Sequence, residues 1–302
     1  MPKFDRTLVI VNPTAGFKRR PRTMRLIEEH FTYQGTGYEV RETRRQGDAL
    51  RWARAARAEG FDLVAVVGGD GTVREVVEGL MRSGARIPLA LIPTGTGNVT
   101  ARALFIPIDI RKALNVIASG RATTFDIGYL PEHDRYFVFV AGAGYDAALI
   151  HDTTQEMKRT FGFFAYIVNG VKHFFKIRRV TMELELDGEV KRLRAHTIMV
   201  INIGTFGKIK WAMAPDVDPH DGKVNILVLA SRSLSGTLAT FVRIIFMRHR
   251  YPAMKLFKAS RIRVKTDPPL PVQIDGEALG ATPFLAEVIP AGIQLVVPQD
   301  YA

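Results

Sequence analysis

The stretch "FDLVAVVGGDGTVREVVEGL" (61–80) constrains this chain more than any other. Leu63 to Val67 form an unbroken apolar run, the pattern of a strand buried on both faces, which belongs in a parallel sheet covered by helices. The run stops at Gly68 and Gly69. Val73, Val76, Val77, Leu80 and Met81 then recur at i, i+3, i+4, i+7 and i+8, which predicts an amphipathic helix. Strand, glycine turn and helix in so short a span are the opening of a βαβ unit.

The same order repeats through the first 127 residues. "TLVIVNP" (7–13) is a strand stopped by Asn12-Pro13, and residues 22–33 carry Met24, Ile27 and Phe31 on one helical face. "YEVRET" (38–43) alternates like a strand. Asp48 is expected to cap the helix "ALRWARAARAEG", which stops at Gly60. "PLALIP" (88–93) is a further strand, and Leu114, Ile117 and Ala118 mark a later helix. After Asp126 the pattern becomes strand-rich. "YFVFVAG" (136–142), "VTMELELDGEVKRL" (180–193), "HTIMVIN" (196–202), "VNILVLA" (224–230), "IRVKT" (262–266), "PVQIDG" (271–276) and "IQLVV" (293–297) all read as strands. Asp187-Gly188 is a hairpin turn. Two helical insertions are expected, near 155–176 and 235–257. The fold class is therefore an α/β domain with a mostly parallel sheet, followed by a β-rich antiparallel domain, with the boundary near residue 127. A chain of 302 residues that is 47% apolar can bury both cores.

The absence of cysteine excludes disulfides and thiolate metal sites, and fits a reducing compartment. The charged start "MPKFDRTLVIV" reads as a first strand rather than a targeting segment. The best apolar run, "FGFFAYIVNGV" (161–171), is about half of a membrane span. The net charge of +12 is compatible with nucleic acid, an anionic membrane surface, a polyanionic substrate such as a nucleotide, or simply a generally basic surface. No nucleic-acid recognition motif accompanies it.

Three glycine-rich turns follow three strands of the first domain: "NPTAG" (12–16), "GGDGT" (68–72) and "PTGTGN" (93–98). In an open parallel sheet such turns share the carboxyl edge. Their unobstructed amides, two sets of which open helices, suit phosphate. Gly68 and Gly69 leave room for polyphosphate, Gly71 permits a tight exit, and Thr72 opens the helix. The P-loop motif is absent, and "GTGNVT" (95–100) departs from the dinucleotide fingerprint at Thr100 and follows the wrong strand. Asp70 among phosphate-binding amides requires a cation such as Mg²⁺ beside it, or else caps the helix starting near Thr72; both roles can coexist. Lys18, Arg19, Arg20 and Arg22 either hold polyphosphate or an anionic membrane, or form a solvated helix start against the helix dipole. "PDVDPHDG" (215–222) lacks the acid spacing of an EF-hand, and Leu227 and Pro219 disfavour one; it is a metal loop built on Asp221 or a turn before a strand. Asp275 and Glu277 in "QIDGEALG" (273–280) either supply a general base or form an Asp-Gly turn. The histidines show no metal spacing.

Taken in order, "VNPTAG", "VVGGDGTVREVVEGL", "LIPTGTGNVTARAL", "PDVDPHDGKVNILVL" and "QIDGE" resemble the diacylglycerol kinase catalytic-domain family, which is similar to sphingosine and ceramide kinases. The resemblance covers essentially the whole chain, although "GGDG" alone is shared with NAD kinases and related phosphofructokinases. It implies a Rossmann-like N-terminal domain of NAD-kinase and diacylglycerol-kinase type over 1–127, completed by 286–302, and a β-sandwich lipid-substrate domain over 128–285, with the site in the cleft between them. It implies an ATP-dependent lipid kinase using Mg²⁺. Asn12, Pro13, Thr14, Ala15, Gly16, Thr43, Gly68, Gly69, Asp70, Gly71, Thr72, Glu75, Thr96 and Asn98 would line the nucleotide site, with Asp70 serving the metal. Asp221, with the backbone of Asp218 and Lys223, would hold a structural Mg²⁺. Glu277 would accept the proton of the lipid hydroxyl, assisted by Asp275. Arg74 and Val99 depart from the Asn and Asp that the family commonly has there.

The implied partners are a membrane lipid and an anionic membrane surface, reached from the cytoplasmic side as a peripheral protein; a homodimer is compatible with this and nucleic acid is not expected. Phe161, Phe163, Phe164, Tyr166, Phe174 and Phe175 in one insertion, and Phe241, Ile244, Ile245, Phe246, Met247 and Arg248 in the other, would meet the membrane, although any single aromatic is more often core. A soluble acceptor such as NAD or a sugar phosphate, and a non-catalytic regulator, are the alternatives. Intact Asp70, Asp275 and Glu277 argue against the last.

Overall fold

The computed structural model describes residues 4–16, 20–144, 179–206, 211–212, 217–230 and 254–301. Lys18, Arg19 and the insertion aromatics named above lie outside them. Among the described residues no helix is long and apolar enough to cross a membrane. The chain divides into two units: residues 1–127, 205–210 and 290–302 form one, and 128–204 with 211–289 form the other.

The first unit runs β1 (Arg6–Val11), α1 (Arg20–Gln34), β2 (Gly37–Glu42), α2 (Asp48–Ala55), β3 (Leu63–Gly68), α3 (Asp70–Ser83), β4 (Leu89–Pro93), α4 (Val99–Ala103), α5 (Ile110–Ser119) and β5 (Arg121–Leu130). Strands pair in the order β2-β1-β3-β4, all parallel. β3 is buried along its whole length, as its unbroken apolar run requires. Val9, Val11, Leu63, Ala65, Val67, Ala90 and Ile92 share a core with Leu26, Ile27 and Phe31 of α1 and Leu114 and Ile117 of α5. Leu8, Ile10, Val64 and Val66 alternate with them and are equally buried on the opposite face, where α3 packs against β3. Helix α2 lies so close to α3 that a Cβ on Gly79 would come 2.3 Å from the Leu50 carbonyl oxygen.

The chain leaves β1 outward to β2 and then returns to place β3 on the other side of β1. Successive connections therefore diverge between β1 and β3, which opens a crevice at their carboxyl ends. "NPTAG" and "GGDGT" flank that crevice.

Helix α2 corrects one expectation. Asp48 does not cap it: Gly47, left-handed at φ 89°, holds the cap position. The Asp48 carboxylate instead accepts the N–H groups of Arg44 and Arg45 in the preceding loop. The helix ends at Ala55, and turns carry the chain to Gly60.

The second unit continues with β6 (Arg135–Phe137), β7 (Val140–Gly144), β8 (Val180–Leu186), β9 (Glu189–Ala195), β10 (Thr197–Ile201), β11 (Thr205–Phe206, which the division assigns to the first unit), β12 (Trp211–Ala212), β13 (Val224–Leu229), β14 (Met254–Ala259), β15 (Arg261–Asp267), β16 (Pro271–Ile274), β17 (Glu277–Ala281) and β18 (Phe284–Val297). One layer pairs the first half of β18 with β15, β8 and β9. The other runs β14-β13-β10-β7-β16-β17, all antiparallel. Met182, Leu184, Ile262, Val264 and Phe284 of the first layer share a core with Ile198, Val200, Ile226, Val228 and Ile274 of the second, which makes a sandwich. The Asp187-Gly188 turn forms as expected, both residues having positive φ. β5 and β18 each begin in one unit and end in the other.

Two strand expectations and one helical expectation change. "YFVFVAG" is broken after Phe137 because the Asp275 carboxylate accepts the N–H groups of Val138, Phe139 and Val140. Met254–Ala259, whose first four residues fall in the expected helical insertion near 235–257, pairs as a strand with β13; the rest of that insertion and the one near 155–176 lie outside the described residues. "IQLVV" is only the end of a 14-residue strand.

Candidate active site

The three glycine turns of the first unit meet. Asn12 follows β1 and donates from Nδ2 to Thr72 Oγ1 at 2.9 Å, linking the first turn to α3. Its Oδ1 accepts the Thr14 N–H and hydroxyl, which curls "NPTAG" into a tight Asx turn. Gly16 closes that turn at φ 69°, and a Cβ there would come 3.0 Å from the Thr94 carbonyl oxygen of the third turn. Gly69 and Gly95 bring the second and third turns into backbone contact: a Cβ on Gly95 would sit 2.5 Å from the Gly69 Cα. The glycines at 69 and 95 are thus required by close approach. Gly71 is different. It lies in the first turn of α3 with negative φ, and a Cβ there would meet nothing within 4 Å. It does not permit a tight exit; it puts no side chain over the first turn of α3, where the Thr72 and Val73 N–H groups donate to the Gly69 carbonyl.

Asp70 does not cap its own helix, whose cap position is Gly69 and carries no side-chain bond. Asp70 Oδ1 instead accepts the N–H of Thr100 at 3.0 Å, near the start of α4. The cap residue of α4, Asn98, is 4% exposed and turns its side chain back: Oδ1 accepts the Gly95 N–H and Nδ2 donates to the Gly95 carbonyl. Asp70 therefore supplies from another turn what Asn98 does not. Its second oxygen, Oδ2, takes no hydrogen bond among the described residues and faces Gly97, where a Cβ would approach to 3.2 Å. One uncommitted carboxylate oxygen in a glycine-lined gap fits a Mg²⁺ that completes its shell with phosphate oxygens and water.

The remaining nucleotide-site residues divide. Thr43 follows β2 on the same edge and donates its N–H to the Val11 carbonyl, and Thr96 is exposed at the tip of the third turn. Pro13, Thr14 and Ala15 lie in the first turn. Glu75 faces the loop before α2, where its Oε2 accepts the Gly47 N–H at 3.0 Å. Arg20 pairs with Glu42, so of the basic run this guanidinium is engaged by protein, while Arg22 is exposed. Sequence reasoning did not single out Gly95 among the residues of its turn, nor the Thr100 amide. Only three-dimensional proximity reveals either.

In the second unit Asp275 and Glu277 flank a left-handed turn, with Asp275 at φ 43° and Gly276 at φ 84°. The three N–H groups donated to Asp275 make it an anchor for the break between β6 and β7. Glu277 Oε2 accepts from Arg135 Nη2 at 2.6 Å. Sequence reasoning missed Arg135 because 142 positions separate the two.

Asp221 behaves unlike a metal ligand. Its Oδ1 accepts the Lys223 N–H at 2.9 Å, and its Oδ2 is paired with the Lys258 ammonium. Asp218 Oδ1 accepts from the backbone and ring of His220. No group of three His, Cys, Asp or Glu able to hold a metal occurs among the described residues. These residues do not fit a structural Mg²⁺ at Asp221: Lys258 already neutralises the carboxylate.

Comparison with known proteins gives this geometry its setting. Residues 6–130 match the model of the diacylglycerol kinase catalytic domain, and residues 139–297 match that of the YegS C-terminal NAD kinase beta sandwich-like domain. The chain is 31% identical to a diacylglycerol kinase of Bacillus subtilis (strain 168), over 98% of each protein. It is 29% identical to the diacylglycerol kinase of Staphylococcus carnosus (strain TM300), over 98% of this chain and 96% of that one. A solved structure of diacylglycerol kinase type from Bacillus anthracis str. Sterne superposes with a TM-score of 0.83 at 25% identity, covering 100% of this chain and 98% of that one. A parallel sheet with converging glycine turns, followed by a β-sandwich and matched along nearly its whole length, places this chain in the diacylglycerol kinase catalytic-domain family, a family of lipid kinases that phosphorylate an alcohol group.

Proposed function

We propose that this chain transfers the γ-phosphate of ATP to the hydroxyl of a membrane lipid such as diacylglycerol. The observation that carries the reading is the meeting of three glycine turns around one uncommitted oxygen of Asp70. The backbone N–H groups of Asp70 and Gly71 at the start of α3, over which Gly71 puts no side chain, would receive phosphate oxygens with help from the helix dipole. The hydroxyl of Thr72, held in place by Asn12, would add a further donor. Mg²⁺ held by Asp70 would neutralise charge on the transferring group when bound.

In the reaction the lipid hydroxyl oxygen bonds to the γ-phosphorus. The bond from that phosphorus to the bridging oxygen breaks, and its electron pair leaves with ADP. The hydroxyl proton goes to the Glu277 carboxylate. The net charge of +12 suits work at an anionic membrane surface on the cytoplasmic side, where the protein would bind peripherally. The names of the relatives support diacylglycerol as acceptor.

The test is incubation of the full chain with γ-labelled ATP, Mg²⁺ and fractionated lipids in anionic vesicles, with the product identified by mass. Labelled phosphatidic acid is the expected result. Label in no alcohol-bearing lipid class would overturn the reading, and label in a water-soluble acceptor without vesicles would replace it.

A further inference from the structure

One short segment, Arg135 to Val140, holds both acidic residues of "QIDGE". Its backbone N–H groups at 138, 139 and 140 fix Asp275, and its first side chain, Arg135, fixes Glu277. Gly276 is tied in turn through its N–H to Gln273 Oε1 at 3.0 Å. The turn between the two acids is thus pinned at both ends and in the middle. Glu277 itself stands at the first position of β17, with its side chain 36% exposed, and that of Arg135 is 24% exposed.

A glutamate so placed has a long side chain and no helix to restrict it. Ordering such a side chain costs rotamer entropy. The Arg135 guanidinium is planar and permanently charged, so its bond to Oε2 fixes the orientation of the carboxylate before substrate arrives. Orientation matters here because an angstrom of misplacement at a reacting group costs about 100-fold in rate.

We propose that Arg135 is a positioning residue for the phosphoryl transfer, acting on the acceptor hydroxyl only through Glu277. This rests on Glu277 being the proton acceptor, and the experiment separates the two claims. The full chain is assayed with ATP and the lipid acceptor as wild type, R135Q, R135K, E277Q and R135Q/E277Q, each checked for a native melting transition. Arg135→Gln is expected to lower kcat by about 10–100-fold while leaving the KM for ATP within about twofold. Lysine keeps the charge but not the planar fork, so R135K should recover part of the loss. In the E277Q background, Arg135→Gln should change kcat by less than about twofold, because residues that act as a unit are non-additive.

An equal loss in both backgrounds would show that Arg135 acts independently of Glu277 and would overturn the proposal. So would wild-type kcat in R135Q. Should R135Q fail to fold, R135K decides: wild-type kcat with lowered thermal stability would make the pair purely structural and overturn the proposal. Wild-type activity in E277Q would instead overturn the proton-acceptor reading, whatever Arg135 does.

Discussion

Gly71 and Gly95 sit in neighbouring turns, yet they should respond oppositely to the same methyl group. At Gly95 a Cβ would lie 2.5 Å from the Gly69 Cα and 3.0 Å from Asn98 Oδ1. Backbone cannot rotate away, so the two turns must part. Overpacking of this kind costs about 1–3 kcal/mol. At Gly71 the same methyl meets nothing within 4 Å, and the residue already has helical φ. Replacing glycine by alanine in a helix gains about 0.5–1 kcal/mol, and a first-turn position takes the lower end. For a unit of this size that raises the melting temperature by about 1–2 °C. If the first amides of α3 receive phosphate, the methyl of G71A stands in the ligand's way. Losing one charge-assisted hydrogen bond would weaken ATP binding about 10–100-fold. Scanning fluorimetry and titration calorimetry with Mg²⁺ and ATP read both quantities. The expected pattern is G95A destabilised, and G71A slightly stabilised but poor at binding. A stable G71A with wild-type affinity would show that phosphate does not lie at the start of α3.

Asp70→Asn retains an acceptor for the Thr100 N–H, so stability should stay within about 1 kcal/mol while kcat falls at least about 100-fold; Asp70→Ala should lose about a further 1 kcal/mol of stability through the missing cap. If Lys258 does the work of a cation at Asp221, chelators should leave the melting temperature unchanged, whereas Lys258→Met should lose about 1 kcal/mol and gain a Mg²⁺-dependent rise in melting temperature. His196 is 3% exposed, and burial, with a smaller effect of Arg179, lowers its pKa from 6.5 to about 4. Because the unfolded state binds this proton first, stability is complete above pH 6.5 and falls as pH drops towards 4, by on the order of 3 kcal/mol. Chemical denaturation across that range should show the loss, and His196→Gln should remove most of its pH dependence.

The alternating first half was readable because each of its elements is local. β3 announces itself through Leu63 to Val67, and α3 through the spacing of Val73, Val76, Val77 and Leu80. The antiparallel half was readable where a turn residue demanded its conformation, as at Asp187-Gly188. It was misread where a distant side chain intervened. "YFVFVAG" has the composition of one strand, and only Asp275, well over a hundred positions away, explains why its centre leaves the ladder. Met254 to Phe257 fall inside the expected helical insertion because one basic residue in every two or three suits either period over so short a run; the pairing of Met254–Ala259 with β13 decides it.

The aspartates show why the site was only partly legible. Asp48, Asp70, Asp187, Asp221 and Asp275 all stand at turns, and in sequence each is an acidic residue near a glycine. In the folded chain all five accept backbone N–H groups: Asp48 from Arg44 and Arg45, Asp187 from Ser260 and Arg261, Asp221 from Lys223, Asp275 from three successive residues, and Asp70 from Thr100. Turn formation is thus the shared role and cannot mark a catalytic residue. What separates them is the oxygen left over. Asp221 spends its second oxygen on Lys258, Asp48 lies beside Arg45 and Arg51, and Asp275 divides three donors between its two oxygens. Asp70 alone of the five combines a single described donor with a glycine-lined gap at its other oxygen. The carboxylate proposed to hold the metal is therefore the one whose structural duty is half complete, and that property emerges only when turns far apart in sequence are brought together.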